Sequence, residues 1–298
     1  MFAPFHDPTR LRSLVLLVLL LLASFVPSAR AQGTTRVATL LPFVEEALTR
    51  ANPEDEVLVV ASVRRSLRDP VAAGLVDLGN PHSPNLEQLA SARPALVVGD
   101  AAIHARLEEP VARLGARLML LDTSSVGATL EALDDVARTL GGCEGLEREV
   151  ARARAELTAM TTARRERVLP LFGTPGSYYV MTERSWLGSL LVDLGFELTI
   201  GDAGDERLPG LVPVSDEAIA VARPEIVLLV AHGDPQRLRR ELLERAGEGG
   251  AWASIASARL GVHVLDPALF SANPGLALPR AAQALVGLSK VDAEGSAR

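Results

Sequence analysis

The sequence predicts an α/β protein with a bilobal architecture: two Rossmann-like lobes joined by one long connector helix. Three observations carry that prediction. Short apolar runs alternate with helical patterns from Arg36 onward, as expected of strands interleaved with crossover helices. One long amphipathic stretch, residues 144–167, lies midway along the chain. One unit also recurs: EQLASARP at 87–94 precedes an apolar run at 96–98, and EAIAVARP at 217–224 precedes another at 226–230, offset by 130 residues.

Taken in order, the first lobe (residues 32–142) reads as strand 37–40, helix 43–50, strand 57–60, a long loop, helix 84–92, strand 95–98, helix 103–114, strand 117–121 and helix 125–140. Ser83 is placed to cap helix 84–92, with Pro84 at its first position. Pro94 and Pro224 end the helices before them, since proline donates no amide and disfavours helical geometry in the preceding residue. The connector (143–167) carries Leu146, Val150, Ala153, Leu157 and Met160 on one stripe. At ~1.5 Å per residue, 144–167 is roughly 36 Å long, enough to act as a rigid strut. The second lobe (168–298) runs strand 168–172, helix 185–194 closed by Gly195, strand 226–230, helix 236–245, strand 262–265 and helix 278–288. Between them, GTPGS at 173–177 reads as a shaped turn at a strand end. Two such lobes make the cleft between them the expected ligand site.

Composition narrows the function. The chain has 298 residues, 48% apolar, with a formal net charge of −7 and a single cysteine, Cys143. An acidic chain lacks the basic stripe of a nucleic-acid binder, and one cysteine excludes an intrachain disulfide and thiolate-built metal clusters. Only 4% of residues are aromatic, too few for a stacking platform. Residues 1–31 read as a cleavable secretory signal: Arg10 and Arg12 precede an apolar run at 14–26, followed by Ala29-Arg30-Ala31. Its loss removes three Arg and one Asp and moves the net charge from −7 to −9. No cysteine follows the run to carry a lipid, so a free, exported, periplasmic protein is expected.

No nucleophile elbow, phosphate-binding loop or HExxH is present, and no enzyme activity is expected. Histidines are the more informative residues. His82 lies just before a predicted helix and His232 just after a predicted buried strand. Helix N-termini and strand C-termini share one edge of an α/β sheet, so both histidines face the predicted cleft. An imidazole from each side suits a six-coordinate haem iron. Each taken singly reads more readily as a surface or capping residue than as a ligand. His104 is the rival in the first lobe, and His263 reads as an ordinary strand residue. Tyr178 and Tyr179, beside Met181, line a pocket, compete as a ligand, or pack in the core.

The motifs resemble those of helical-backbone substrate-binding proteins, which serve ABC importers for cobalamin, ferric siderophores and haem. The resemblance rests on PNLE at 84–87 through PALV at 94–97, with Ala95 where the family pattern has Asp. It extends over the connector, GSYYV at 176–180, WLG at 186–188, VPVS at 212–215, Trp252 and VHVLD at 262–266. Within that class the chain is most similar to the haem-receptor branch of Gram-positive iron-regulated surface systems. That branch carries a Gly-Asn-Pro-Met-Ser-Pro motif whose Met ligates iron; here GNPHSP at 79–84 puts His82 in its place, and Ala231-His232-Gly233 keeps the second ligand motif.

The resemblance implies a monomeric carrier holding haem between His82 and His232. A neutral imidazole in place of a thioether favours ferric iron. Arg64 and Arg65 are the expected propionate partners, with Arg184 behind them. Docking on an inner-membrane ABC permease is expected at Glu46, beside Glu45. The matching acid of the second lobe falls on Ser189, so Asp193, one turn on, is expected to substitute. A haemophore or outer-membrane receptor is the expected source of cargo. The alternative in the same class is a ferric-siderophore or cobalamin carrier whose histidines merely line the cleft. A chelatase-like tetrapyrrole enzyme is disfavoured by the export signal, and a zinc or manganese receptor by its need for three or four clustered ligands.

Overall fold

Two sheets, each with helices on both faces, organise the chain. The computed structural model describes residues 34–51, 57–64, 70–161, 165–201, 210–247 and 249–288; the expected signal, 1–31, and Arg65 lie outside them. The first half contributes β1 (Thr35–Thr39), β2 (Val57–Ser62), β3 (Val76–Asp77), β4 (Gly79–Asn80), β5 (Ser83–Pro84), β6 (Leu96–Asp100) and β7 (Arg117–Leu121). Five of these form a parallel sheet in the order β3-β2-β1-β6-β7, while β4 and β5 pair as a small antiparallel hairpin. The second half contributes β8 (Arg167–Thr174), β9 (Ser177–Met181), β10 (Glu197–Leu198), β11 (Leu211–Pro213), β12 (Ile226–Ala231) and β13 (Val262–Val264). Their order is β11-β9-β8-β12-β13, with β10 also on β8. Here β9 runs antiparallel to both its neighbours, β8 and β11, and the other pairs are parallel.

The central strands are apolar on both faces because both faces are covered; all six residues of β12 are buried. Val37, Leu96, Val98, Val168, Ile226, Leu228 and Val230 meet helices 42–51, 126–139, 144–160, 186–193 and 278–288 in one shared core. The opposite face of the first sheet packs Leu89, Leu107 and Val111 of helices 86–92 and 105–113. That of the second packs Ile219, Leu238, Leu242 and Trp252. Since the inner core is continuous across both sheets, residues 35–298 form one compact unit.

Several elements differ from the sequence expectation. The connector helix spans Glu144–Met160, 17 residues and ~25 Å, rather than 144–167. Its buried stripe runs out at Met160, and Thr161 is already extended, with ψ 123°. Helix 86–92 is capped by Asn85, whose side chain accepts from the amides of Glu87 and Gln88, because Ser83 is spent in β5. Expected helix 103–114 is three pieces, Ala101–His104, a 3-10 turn at Ala105–Leu107, and Glu108–Arg113. Pro110 explains the break: it lies in the first turn of the last piece, where its missing amide costs nothing. By contrast, the turn expected at GTPGS is present, with Thr174 paired to Ser177 and Gly176 at φ +79°.

The repeated unit is also a structural repeat. Arg93 (φ 46°, ψ 56°) and Arg223 (φ 41°, ψ 58°) are the non-glycine residues at positive φ among those described, each ending a seven-residue helix. In each copy the residue after the proline docks on the central strand, Ala95 N–H to Arg36 O and Glu225 N–H to Arg167 O, both at 2.8 Å.

Candidate functional site

In each sheet the chain leaves the central strand to one side and returns on the other, β1 before β6 and β8 before β12. Strand C-termini at such a switch point open onto a crevice. His232 follows directly on β12. Its amide donates to Gly173 O at 2.8 Å, one step beyond the β8–β12 ladder. The ring is exposed and lies 5.8 Å from that of Phe172, which in turn sits 6.4 Å from Tyr179, its cross-strand partner.

His82 occupies the tip of the β4–β5 hairpin, also exposed. Its amide donates to Asn80 Oδ1 at 2.8 Å and its carbonyl accepts from Arg106. Neither the His82 nor the His232 ring has a hydrogen-bond partner among the described residues. The other two described histidines are committed. His104, fully buried, accepts from the Asp100 amide at Nδ1 and donates from Nε2 to Pro81 O, both at 2.8 Å. Burial holds its imidazole below the usual histidine range. A ring with both nitrogens occupied is no rival ligand. His263 sits in β13 with Nε2 2.5 Å from Leu260 O, an ordinary strand residue.

The two tyrosines part company, because successive strand residues face opposite sides. Tyr179 joins Phe172 and His232, whereas Tyr178 packs into the outer core against Trp252, its hydroxyl donating to Leu238 O at 3.0 Å. Burial pushes its phenol up to about 12. Tyr178 is therefore a core residue and not part of the Phe172–Tyr179–His232 face. Arg64 is also committed: its Nε donates to Asp77 Oδ2 at 2.7 Å, while the other carboxylate oxygen accepts from Gly79 N–H. That contact raises Arg64 and holds Asp77 below the usual carboxylate range. Arg184 is exposed on the turn before helix 186–193.

Glu46 and Asp193 are exposed on helices 42–51 and 186–193, and partial desolvation pushes the Asp193 carboxyl upward. Ser189 instead accepts the Val126 amide at 3.2 Å, a contact between helices 186–193 and 126–139. Among the described residues no three acidic, histidine or cysteine side chains cluster as a metal site, and no helix is long and apolar enough to cross a membrane. Sequence reasoning missed Phe172, Asn80 and Arg106. Only the period-two placement of Phe172 opposite a tyrosine-rich strand signalled any of them.

A family model described as periplasmic binding protein matches residues 38–247. The chain belongs to that family. Periplasmic binding proteins are ligand carriers rather than enzymes. The high-affinity heme uptake system protein IsdE of Staphylococcus aureus (strain bovine RF122 / ET3-1) is 22% identical over 195 residues, 64% of this chain. The match spans just under two thirds, 65%, of that relative. Among solved structures, an ABC transporter substrate-binding protein from Listeria monocytogenes EGD-e superposes with a TM-score of 0.72 at 21% identity, over 86% of this chain and 98% of that one. S. aureus IsdE complexed with heme gives 0.69 at 18% identity, over 86% and 99%. The siderophore binding protein BauB, bound to two acinetobactin molecules and ferric iron, gives 0.65 at 17% identity, over 87% and 94%. These likenesses establish the fold.

Proposed function

We propose that this periplasmic binding protein carries haem to an inner-membrane ABC importer, with His82 and His232 as the two axial ligands of its iron. One observation carries the reading. Of four described histidines, the two whose ring nitrogens are uncommitted follow strand C-termini, His232 directly on β12 and His82 on the hairpin after β3. Neutral imidazole is the form that ligates iron, and paired imidazoles favour the ferric state. Phe172 and Tyr179 offer the porphyrin an aromatic face beside His232. The likeness to IsdE, a heme uptake protein, points the same way. Arg64, which also pairs with Asp77, and Arg65 are the proposed propionate partners, with Arg184 behind them. Glu46 and Asp193 are the proposed permease contacts, and residues 1–31 the export signal.

Absorption titration with haemin tests this. The expected result is one equivalent bound as a low-spin ferric bis-histidine complex. His82→Ala and His232→Ala should each convert it to a five-coordinate spectrum, and the double variant should abolish the sharp Soret band. No Soret shift on titration, or one unchanged in the double variant, sinks the proposal. A ferric-siderophore or cobalamin carrier is the second reading, favoured by the Phe172–Tyr179 ring pair at the site edge. Binding of such a ligand undisturbed by either histidine substitution would support it.

A further inference from the structure

We infer that His104 is a positioning residue for the cargo site: by gripping Pro81 from the short helix that follows β6, it holds the hairpin so that the His82 imidazole stands out at its tip. The inference rests on the reading of His82 as an iron ligand. His104 is 0% exposed, and its tautomer follows from its partners. The Asp100 amide can only donate, so Nδ1 accepts, and the proton resides on Nε2, which donates to Pro81 O 23 residues away. A buried polar ring with both bonds made to main chain joins two segments that the sheet itself does not pair.

The neighbourhood is built around this ring. A Cβ on Gly99 would stand 3.0 Å from His104 Cβ and 3.1 Å from Nδ1, so glycine there clears the space the imidazole occupies. Asp100 is fixed in turn: Oδ1 accepts from the Ala102 amide at 2.8 Å, and Oδ2 accepts the Thr123 hydroxyl at 2.5 Å. On the hairpin, Arg106 holds the His82 carbonyl and Asn80 its amide. Side chains therefore hold the main chain at and before His82, and the imidazole is the group left over. Groups that orient a metal ligand typically influence affinity roughly 10- to 100-fold.

Two near-isosteres separate the two bonds in the full chain. His104→Gln places an amide nitrogen where Nε2 stood and keeps the grip on Pro81. His104→Asn keeps an acceptor for Asp100 and falls short of Pro81. Haemin affinity and spin state are read by absorption, and amide hydrogen exchange over residues 78–85 is read in the haem-free protein. His104→Asn should weaken haemin binding roughly 10- to 100-fold, shift the spectrum toward five-coordinate, and speed exchange across the hairpin. His104→Gln should stay near wild type in all three. If His104→Asn does not fold, the exposed Arg106→Ala should move the same readouts in the same direction. Equal behaviour of the two His104 variants, or an Arg106→Ala protein unchanged in spectrum and exchange, overturns the inference. A His82→Ala protein that keeps the wild-type spectrum defeats the ligand reading instead, and the exchange data still judge the clamp.

Discussion

The two halves of the molecule share a three-strand parallel centre, β1-β6-β7 in one and β8-β12-β13 in the other, yet they hold their histidines by different means. In the second half the strand beside β8 is antiparallel and follows a two-residue turn, so the chain reaches the sheet edge within the ladder. His232 inherits its position from the parallel β8–β12 ladder, its amide bonded to Gly173 one step beyond the last pair. In the first half β2 and β3 are parallel, each requiring a crossover. The chain then leaves the sheet altogether before His82. Position there depends on side chains: His104, Arg106 and Asn80. A ligand carried on a ladder is as stable as the sheet, whereas one carried on a clamp can be loosened without unfolding anything.

The largest effect is expected where the ladder is attacked. Leu229 is fully buried in β12, and its Cδ1 lies 2.9 Å from where a Gly173 Cβ would be. Leu229→Ala should cost about 2–5 kcal/mol in denaturant unfolding, and haemin affinity should fall with stability. Weakened haemin binding at unchanged stability would break the contrast between ladder and clamp. A smaller effect lies on the outer core of the same half. Tyr178 has its folded-state pKa raised to about 12, above the ordinary tyrosine value near 10. Its contribution is therefore complete below pH ~10 and is lost as pH rises toward 12, to the extent of about 2–3 kcal/mol. Tyr178→Phe should flatten that alkaline limb in a stability–pH profile, at a cost near neutral pH of about 1 kcal/mol for the lost bond to Leu238.

Much of this was legible from periodicity. Strand 117–121 and helix 278–288 lie where their apolar patterns place them, and the repeated Arg-Pro unit marked equivalent strands in the two sheets. The sequence extends the connector too far because charged residues continue past Met160, although no large apolar side chain appears again until Val168. A helix without a face to bury has little to sustain it. Tyr178 and Tyr179 read as one patch in a sequence that does not mark β9 as a strand, and only a strand separates neighbours onto opposite faces. His232 could be placed by rule, since a strand end defines the sheet edge, whereas the hairpin that carries His82 off the sheet could not. The role of His104 could not: one of its partners is 23 residues away and meets it only through tertiary structure.

The smallest expected effect tests whether the clamp extends beyond the hairpin itself. Asp77 ends β3 immediately before the hairpin, bonded to Arg64 through one oxygen and to the Gly79 amide through the other. Arg64 in turn donates its own amide to Gly79 O at 3.0 Å, so the pair ties the end of β2 to the start of the excursion. Asp77 has its folded-state pKa depressed, first by Arg64. Its contribution is therefore present above the ordinary aspartate value near 3.9 and is lost as pH falls through the lower, folded-state value. Asp77→Asn should remove that part of the acid limb, leaving stability at neutral pH only slightly changed because the pair is partly open to solvent. If the strut helps to hold His82, the same variant should speed amide exchange over 78–85 at neutral pH while leaving the amide of His232 as protected as before. Equal loss of protection at both histidines would mean that the two halves are held alike after all.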